Sequence, residues 1–370
     1  MRIYMLRALA GDCFLLDFEN GSCILIDGGY KETYFKSLKN LLLNLSKEGK
    51  YLEYLILTHY DEDHIGGLLS LLEENGKSDE GKIIHIENII TNGFSNLCHT
   101  EDNSKTFYCK SINHDRTEEI SASQQLSFET LCLKNGYQIN ECTNDKYILQ
   151  GCVLYGKGYK IKFLTPNLPQ LNSLVKYLED EFEKRKLSYS PLNFQNYSMY
   201  LQERKAENKT VNISSTYCDD ISQWKQYFDK GSPLNLINRC SLSFEIEFNE
   251  KHLLFCGDSD MNAAKDLLIK KYDVIKLSHH GTYYGNQCFI GKNPIISDNY
   301  IISTNSIRAN REHPNRKLLS EILTLPHNKK FYFNYNISKV KNELYYLLTN
   351  AEQQRKYKFS CFFDYYYLNL

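Results

Sequence analysis

Leu55-Ile56-Leu57-Thr58-His59-Tyr60-Asp61-Glu62-Asp63-His64-Ile65-Gly66-Gly67 is the stretch that decides how this chain folds. The apolar run Tyr54–Leu57 has the pattern of a buried strand, and it stops at Thr58. Four metal-ligand side chains then fall within six positions: His59, Asp61, Asp63 and His64. Gly66 and Gly67 follow, and are expected to turn the backbone sharply into the apolar, helix-like segment Leu68–Leu72. A strand end feeding a glycine turn and a helix is a rigid ledge for a site. Imidazole nitrogen and carboxylate oxygen suit zinc, manganese or iron, and two acids so close together suit a pair of cations better than one. A merely solvated polar loop is the competing reading. Two histidines and two ligating acids seldom interleave so densely without a ligand.

Outward from this stretch the pattern is α/β. Ile3–Leu9, Cys13–Phe18 and Cys23–Ile26 read as short strands, broken by Gly11-Asp12 and by the hairpin signal Asn20-Gly21. Thr33–Lys47 is amphipathic at helical spacing, and Ile83–Ile90 is a further strand. The alternation of strand and helix predicts a layered sheet-and-helix architecture. From about 95 to 158, and again from 188 to 232, the sequence turns polar, with one helix expected near Ser121–Leu133; between the two regions Lys160–Leu164 reads as a strand and Leu171–Lys186 as a charged amphipathic helix. These two regions are expected as insertions or a cap. Regularity returns at Cys240–Phe248 and at His252–Phe255, which ends in Cys256-Gly257-Asp258 before a predicted helix, Met261–Lys271. Val274–Leu277 runs into Ser278-His279-His280-Gly281, and Tyr300–Thr304 leads to His313-Pro314 with Arg308, Arg311 and Arg316 around it. Pro314 is suited to a first helical turn.

His-x-Asp-x-Asp-His after a hydrophobic strand resembles the metal-binding signature of the metallo-β-lactamase fold. Most of that superfamily carries His where this chain has Asp61. Asp there resembles the branch containing the nuclease-like domain of the competence protein ComEC and the choline-phosphate esterases. Asp27-Gly28-Gly29, Gly257-Asp258 and His279-His280-Gly281 match the later motifs of that branch in order. The glutamine common before the opening Gly-Asp turn is replaced by Leu9-Ala10. The resemblance implies an αββα sandwich of two mixed β-sheets flanked by helices, a single domain with core 1–93 and 236–326. It says nothing of the insertions or of a C-terminal extension, 327–370.

The same resemblance implies two divalent ions, Zn2+ or Mn2+, held by His59, Asp61, Asp63, His64, Asp258 and His280. Asp258 would bridge them, and Asp27 would hold the metal loop rather than the metal. A ligating His usual near position 238 is absent; Asn238 stands there as a weak ligand or the holder of a metal-bound water. Asp63, His64, His280 and Asp258 are therefore expected to form the tighter site, with His59, Asp61 and Asp258 the weaker. Two adjacent histidines point opposite ways in a strand. Only one is then expected to bind metal; the resemblance implies that it is His280, and that His279, with Asp63, is catalytic, His279 touching substrate or donating a proton. His313, Arg308, Arg311 and Arg316 are candidates for binding a phosphate.

Composition bounds the rest. The 370 residues hold 44 basic and 45 acidic side chains, so no global field draws the chain to nucleic acid or a membrane. Twelve cysteines without a Cys-x-x-Cys pair read as reduced thiols. The N-terminus enters a strand pattern without a signal-peptide core, and no stretch approaches the roughly 20 apolar residues of a membrane span. The expectation is a cytoplasmic protein with no membrane association. The function expected is hydrolysis of a phosphodiester, nucleic acid above all, through a metal-bridging hydroxide. A small phosphodiester or nucleotide is the alternative substrate, and Lys184-Arg185-Lys186 permits a polyanion without demonstrating one. A partner-dependent or non-catalytic subunit of a bacterial defence-type system is the alternative of another class.

Overall fold

Side chains alternate across a strand, so a strand with two apolar faces must be covered twice. Phe14, Leu15 and Leu16 are all buried, as are Ile24, Leu25 and Ile26. The computed structural model, which describes residues 1–76, 81–93, 97, 117–143, 145–185, 219–226, 233–306, 313–338 and 342–370, shows both covers.

In chain order the strands are β1 (Arg2–Met5), β2 (Phe14–Asp17), β3 (Ser22–Ile26), β4 (Tyr51–Ile56), β5 (Ile86–Ile90), β6 (Val153–Gly156) and β7 (Tyr159–Thr165), followed by β8 (Ser243–Phe248), β9 (Lys251–Phe255), β10 (Lys271–Lys276), β11 (Ile296–Ile302), β12 (Lys329–Phe333), β13 (Phe359–Phe362) and β14 (Tyr367–Asn369). They form a six-stranded sheet, β14-β1-β2-β3-β4-β5, and an eight-stranded sheet, β13-β12-β11-β10-β9-β8-β7-β6. Both are mixed: β3, β4 and β5 run parallel, as do β9 to β13, and the remaining pairs are antiparallel.

Phe14, Leu16, Ile24, Ile26 and Ile56 pack between the sheets against Phe163, Leu242, Phe244, Ile246 and Phe255. Leu15, Leu25 and Leu55 face the other way, onto Tyr34, Leu38 and Leu42 of one helix and Leu68 and Leu72 of the next. On the far side Leu254, Ile275 and Ile302 meet Leu318, Leu319 and Ile322. The result is the expected αββα sandwich. Burying each large apolar side chain contributes about 1.5–3 kcal/mol to holding the layers together.

Local departures from the sequence reading have physical causes. Gly66 and Gly67 do not make a turn; they lie inside the helix Glu62–Asn75. Their smallness admits the Asp27-Gly28-Gly29 loop, since a Cβ on Gly67 would sit 2.1 Å from Gly28 O. Met261–Lys271 is no continuous helix: Met261–Leu267 is a 3₁₀ turn closed by Ala263 N donating to Asp260 O, and Lys271 already opens β10. Pro314 precedes the helix Arg316–Leu323, whose cap is Asn315, its Oδ1 accepting from Leu318 N at 2.9 Å.

Parts of the polar regions are built into the core. The helix Thr117–Lys134 buries Phe128, Leu131 and Cys132 with the first sheet's helices, and Trp224 is fully buried against the second sheet's. Val153–Gly156 is the edge strand β6. The C-terminal stretch ends both sheets, β13 beside β12 and β14 beside β1. Among the described residues no helix is long and apolar enough to cross a membrane.

Candidate metal centre

Parallel strands deliver their C-terminal ends to one edge of a sheet, which is where ligands bind in such sheets. Here β3 and β4 of one sheet and β9, β10 and β11 of the other end at a common cleft. Asp27, His59, Asp258, His280 and Ser303 follow those five ends in turn.

Asp27 is held at φ 55, a left-handed conformation unusual for a residue with a Cβ. Its carboxylate accepts from Thr58 N and Thr58 Oγ1, both at 2.8 Å, and its Oδ2 stands 2.8 Å from His64 Nδ1. Asp27 therefore ties the end of β3 to the His59–His64 loop. Asp61 stands at the N-terminal boundary of the helix Glu62–Asn75, its backbone O accepting from His64 N at 2.8 Å, and Asp63 and His64 lie in the first turn. Gly11 lets the β1–β2 loop lie on Asp63: a Cβ there would fall 1.8 Å from Asp63 O, and Asp12 N donates to that same oxygen at 3.2 Å.

Asp258 Oδ2 is the convergence point. His64 Nε2 and His280 Nε2 each lie 3.5 Å from it, His279 Nε2 3.8 Å and His59 Nε2 4.0 Å. His59 Nε2 is also 3.8 Å from Asp61 Oδ2, and His280 Nε2 is 3.9 Å from Asp63 Oδ2. Three of these rings are anchored through the other nitrogen: His64 by Asp27, His280 by Ser303 O at 2.9 Å, and His59 by Thr58 Oγ1 at 3.1 Å. The Nε2 atoms of His59, His64 and His280 are buried and make no hydrogen bond. An uncompensated buried imidazole nitrogen is costly, and three aimed at one carboxylate oxygen fit divalent cations. The ligand atoms of His59, His64 and Asp258, of Asp63, His64 and His280, and of Asp258, His279 and His280 each lie within 4.8 Å of one another.

The histidine pair behaves differently from the expectation. Ser278–Gly281 is a 3₁₀ turn rather than a strand, and both His279 and His280 have positive φ, 45° and 59°. Both rings therefore reach Asp258. Asn238 Nδ2 lies 3.5 Å from His279 Nε2, while its Oδ1 is buried without a hydrogen bond. His313 is buried beside the pair, its ring centroid 5.4 Å from His279 and 5.8 Å from His280. The Arg316 guanidinium pairs with Glu343, Nη1 to Oε2 at 3.3 Å. Arg308, Arg311 and Lys186 lie outside the described residues.

Burial and charge set the protonation. Burial pushes His59 down to about 4, helped by His64, and pushes His279 down to about 4 as well. Both are neutral at pH 7 and offer a lone pair. Burial opposes the charged form of His64 too, but Asp258 and Asp27 outweigh it and hold the ring well above its ordinary value. Asp258 is kept well below the carboxylate range by His280, His64 and His279, against the effect of burial.

Sequence reasoning missed the groups beneath. Lys276, buried at the end of β10, pairs with Asp12, and burial's pull on its ammonium is outweighed by Asp12 and Asp258. A lysine inside the apolar run Val274–Leu277 was the available signal. Ser241 Oγ accepts from Asp258 N at 3.2 Å and lies 3.4 Å from His59 Nδ1. Asn334, from the C-terminal stretch, donates to Ser303 Oγ and Leu6 O and ties the two sheets under the cleft.

Residues 6–90 match the family model described as the metallo-beta-lactamase superfamily. Two mixed sheets flanked by helices, with this match in the first of them, are consistent with the metallo-β-lactamase fold. The matched segment contains Asp27 and the whole His59–His64 loop. Among solved structures, zinc-bound PqqB from Methylobacterium extorquens aligns over 100% of both chains at 10% identity, with a TM-score of 0.43. No curated protein matches the chain.

Proposed function

We propose that this chain is a binuclear metal-dependent hydrolase, a phosphodiesterase of the ComEC-like branch whose substrate is nucleic acid. The observation that carries the metal reading is the set of three anchored imidazoles whose Nε2 atoms, none of them hydrogen-bonded, surround Asp258 Oδ2.

His59, Asp61 and Asp258 would hold one ion and Asp63, His64, His280 and Asp258 the other. Divalent cations at such a site lower the pKa of bound water to about 7 and stabilise charge developing on the attacked group. The chain does the rest. Asp27, Ser303 and Thr58 fix the three rings, so little reorganisation accompanies reaction. Asp63, in the first helical turn, would accept the proton of the attacking water through a carboxylate oxygen. His279 is neutral at pH 7, and its Nδ1 makes no hydrogen bond. It contributes a hydrogen bond to a substrate oxygen. His313 lines the same wall.

The choice of a phosphodiester rests on the His279-His280-Gly281 motif and on Asp61 in place of the commoner histidine. A screen with added manganese or zinc tests it, using single- and double-stranded DNA, RNA and bis-p-nitrophenyl phosphate on wild type, Asp63→Ala and His280→Ala. Polymer cleavage lost in both variants supports the proposal. Turnover of the small diester alone assigns a small phosphodiester instead, and no turnover by metal-loaded protein refutes the phosphodiesterase reading.

A further inference from the structure

A buried ion pair is a poor stabiliser, because desolvating two charges offsets most of their attraction; one retained under a site calls for another role. Asp12 and Lys276 are such a pair, both essentially without solvent exposure. They come from different sheets: Asp12 from the loop between β1 and β2, Lys276 from the last position of β10, in register with Phe255 of β9.

The pair touches three of the candidate ligands. Lys276 Nζ donates to Gly257 O at 2.9 Å and stands 3.7 Å from Asp258 Oδ1. Asp12 Oδ1 stands 3.5 Å from His280 Nδ1, and Asp12 N donates to Asp63 O. Asp258 Oδ1 makes no hydrogen bond of its own, so the ammonium is the group that distinguishes the two carboxylate oxygens. Oδ1 faces the cation and Oδ2 faces the four imidazoles.

We propose that Lys276, seated on Asp12, is a positioning residue of the metal centre, fixing Asp258 so that Oδ2 is the oxygen presented to metal. The inference rests on the reading of the cluster as a metal site, and on nothing about the substrate. It makes a counter-intuitive prediction. An ammonium this near a cation site should repel metal by simple electrostatics, so deleting it should tighten binding. If the pair positions Asp258, deleting it weakens binding.

The test is the dissociation constant for zinc and manganese, measured by chelator competition, together with the melting temperature of the metal-free protein. Wild type, Lys276→Met and the double variant Asp12→Asn/Lys276→Met are compared. Loss of a group that orients a ligand lowers metal affinity by about 10–100-fold, and Lys276→Met is expected to show it. The double variant removes both charges and so restores buried charge balance. Its metal-free melting temperature should recover while its metal affinity stays low. Recovery of affinity in the double variant would reduce Lys276 to a structural counter-charge and overturn the proposal. Unchanged or tighter binding by Lys276→Met would overturn it as well, while leaving the metal site intact. Should Lys276→Met fail to fold, the double variant alone decides between these outcomes. A wild type that binds no metal removes the metal reading and this proposal together.

Discussion

His64 Nδ1 stands 2.8 Å from Asp27 Oδ2, joining the helix Glu62–Asn75 to the end of β3. That contact fixes which nitrogen of His64 faces the cleft, and Thr58 fixes the carboxylate in turn. Asp27→Asn keeps the shape but weakens the acceptor. Metal affinity is expected to fall about 10–100-fold with little change in metal-free stability, measured by chelator competition and thermal melting.

Metal-free protein should lose stability as pH falls from about 6.5 to about 4. His59 and His279 have folded values of about 4, below the ordinary 6.5, so in that window the unfolded chain binds more protons and stability rises with pH. His64 has the opposite sign. Its raised value stabilises fully below 6.5, and that contribution is lost only as pH rises through its folded value. A melting-temperature series on chelator-treated protein reads the slope. A flat profile between pH 6.5 and 4 would contradict the burial assigned to His59 and His279.

Gly67→Ala should be severely destabilising. Its Cβ would meet Gly28 O at 2.1 Å, backbone against backbone, and no rotamer relieves that. Overpacking costs about 1–3 kcal/mol at ordinary core positions, and this contact lies at or beyond the upper end. Urea unfolding measures it; a midpoint like that of wild type would mean the Asp27–Gly29 loop does not cross the helix as described.

The motif loop was legible because strand, ligands and helix are contiguous between Tyr54 and Leu72. Asp258 and the His279-His280 pair were legible through their strand-end positions. The conformation of the pair was not: positive φ at two successive histidines is imposed by the surrounding turn, and neither residue type announces it. Gly66 and Gly67 were noticed for the wrong reason, because a sequence shows a small residue but not the backbone that crosses it. Asp12 and Lys276 are 264 positions apart in numbering and belong to different sheets, so no local pattern pairs them.

Trp224 lies in a polar stretch whose composition gives no hint of a core, yet it is fully buried against the helix layer of the second sheet. Trp224→Ala should cost about 3–5 kcal/mol, read by urea unfolding, while leaving metal affinity within a few-fold of wild type. A surface-like effect below about 0.5 kcal/mol would contradict its place in the core.

The most direct measurement is the metal content of the purified chain after loading with manganese or zinc and removal of free ion, wild type beside Asp258→Ala. Asp258 Oδ2 is the atom on which four imidazoles converge, so the account predicts about two ions per wild-type chain and a collapse of that ratio in the variant. A wild type that retains no ion, or an Asp258→Ala chain that retains as much as wild type, would contradict it.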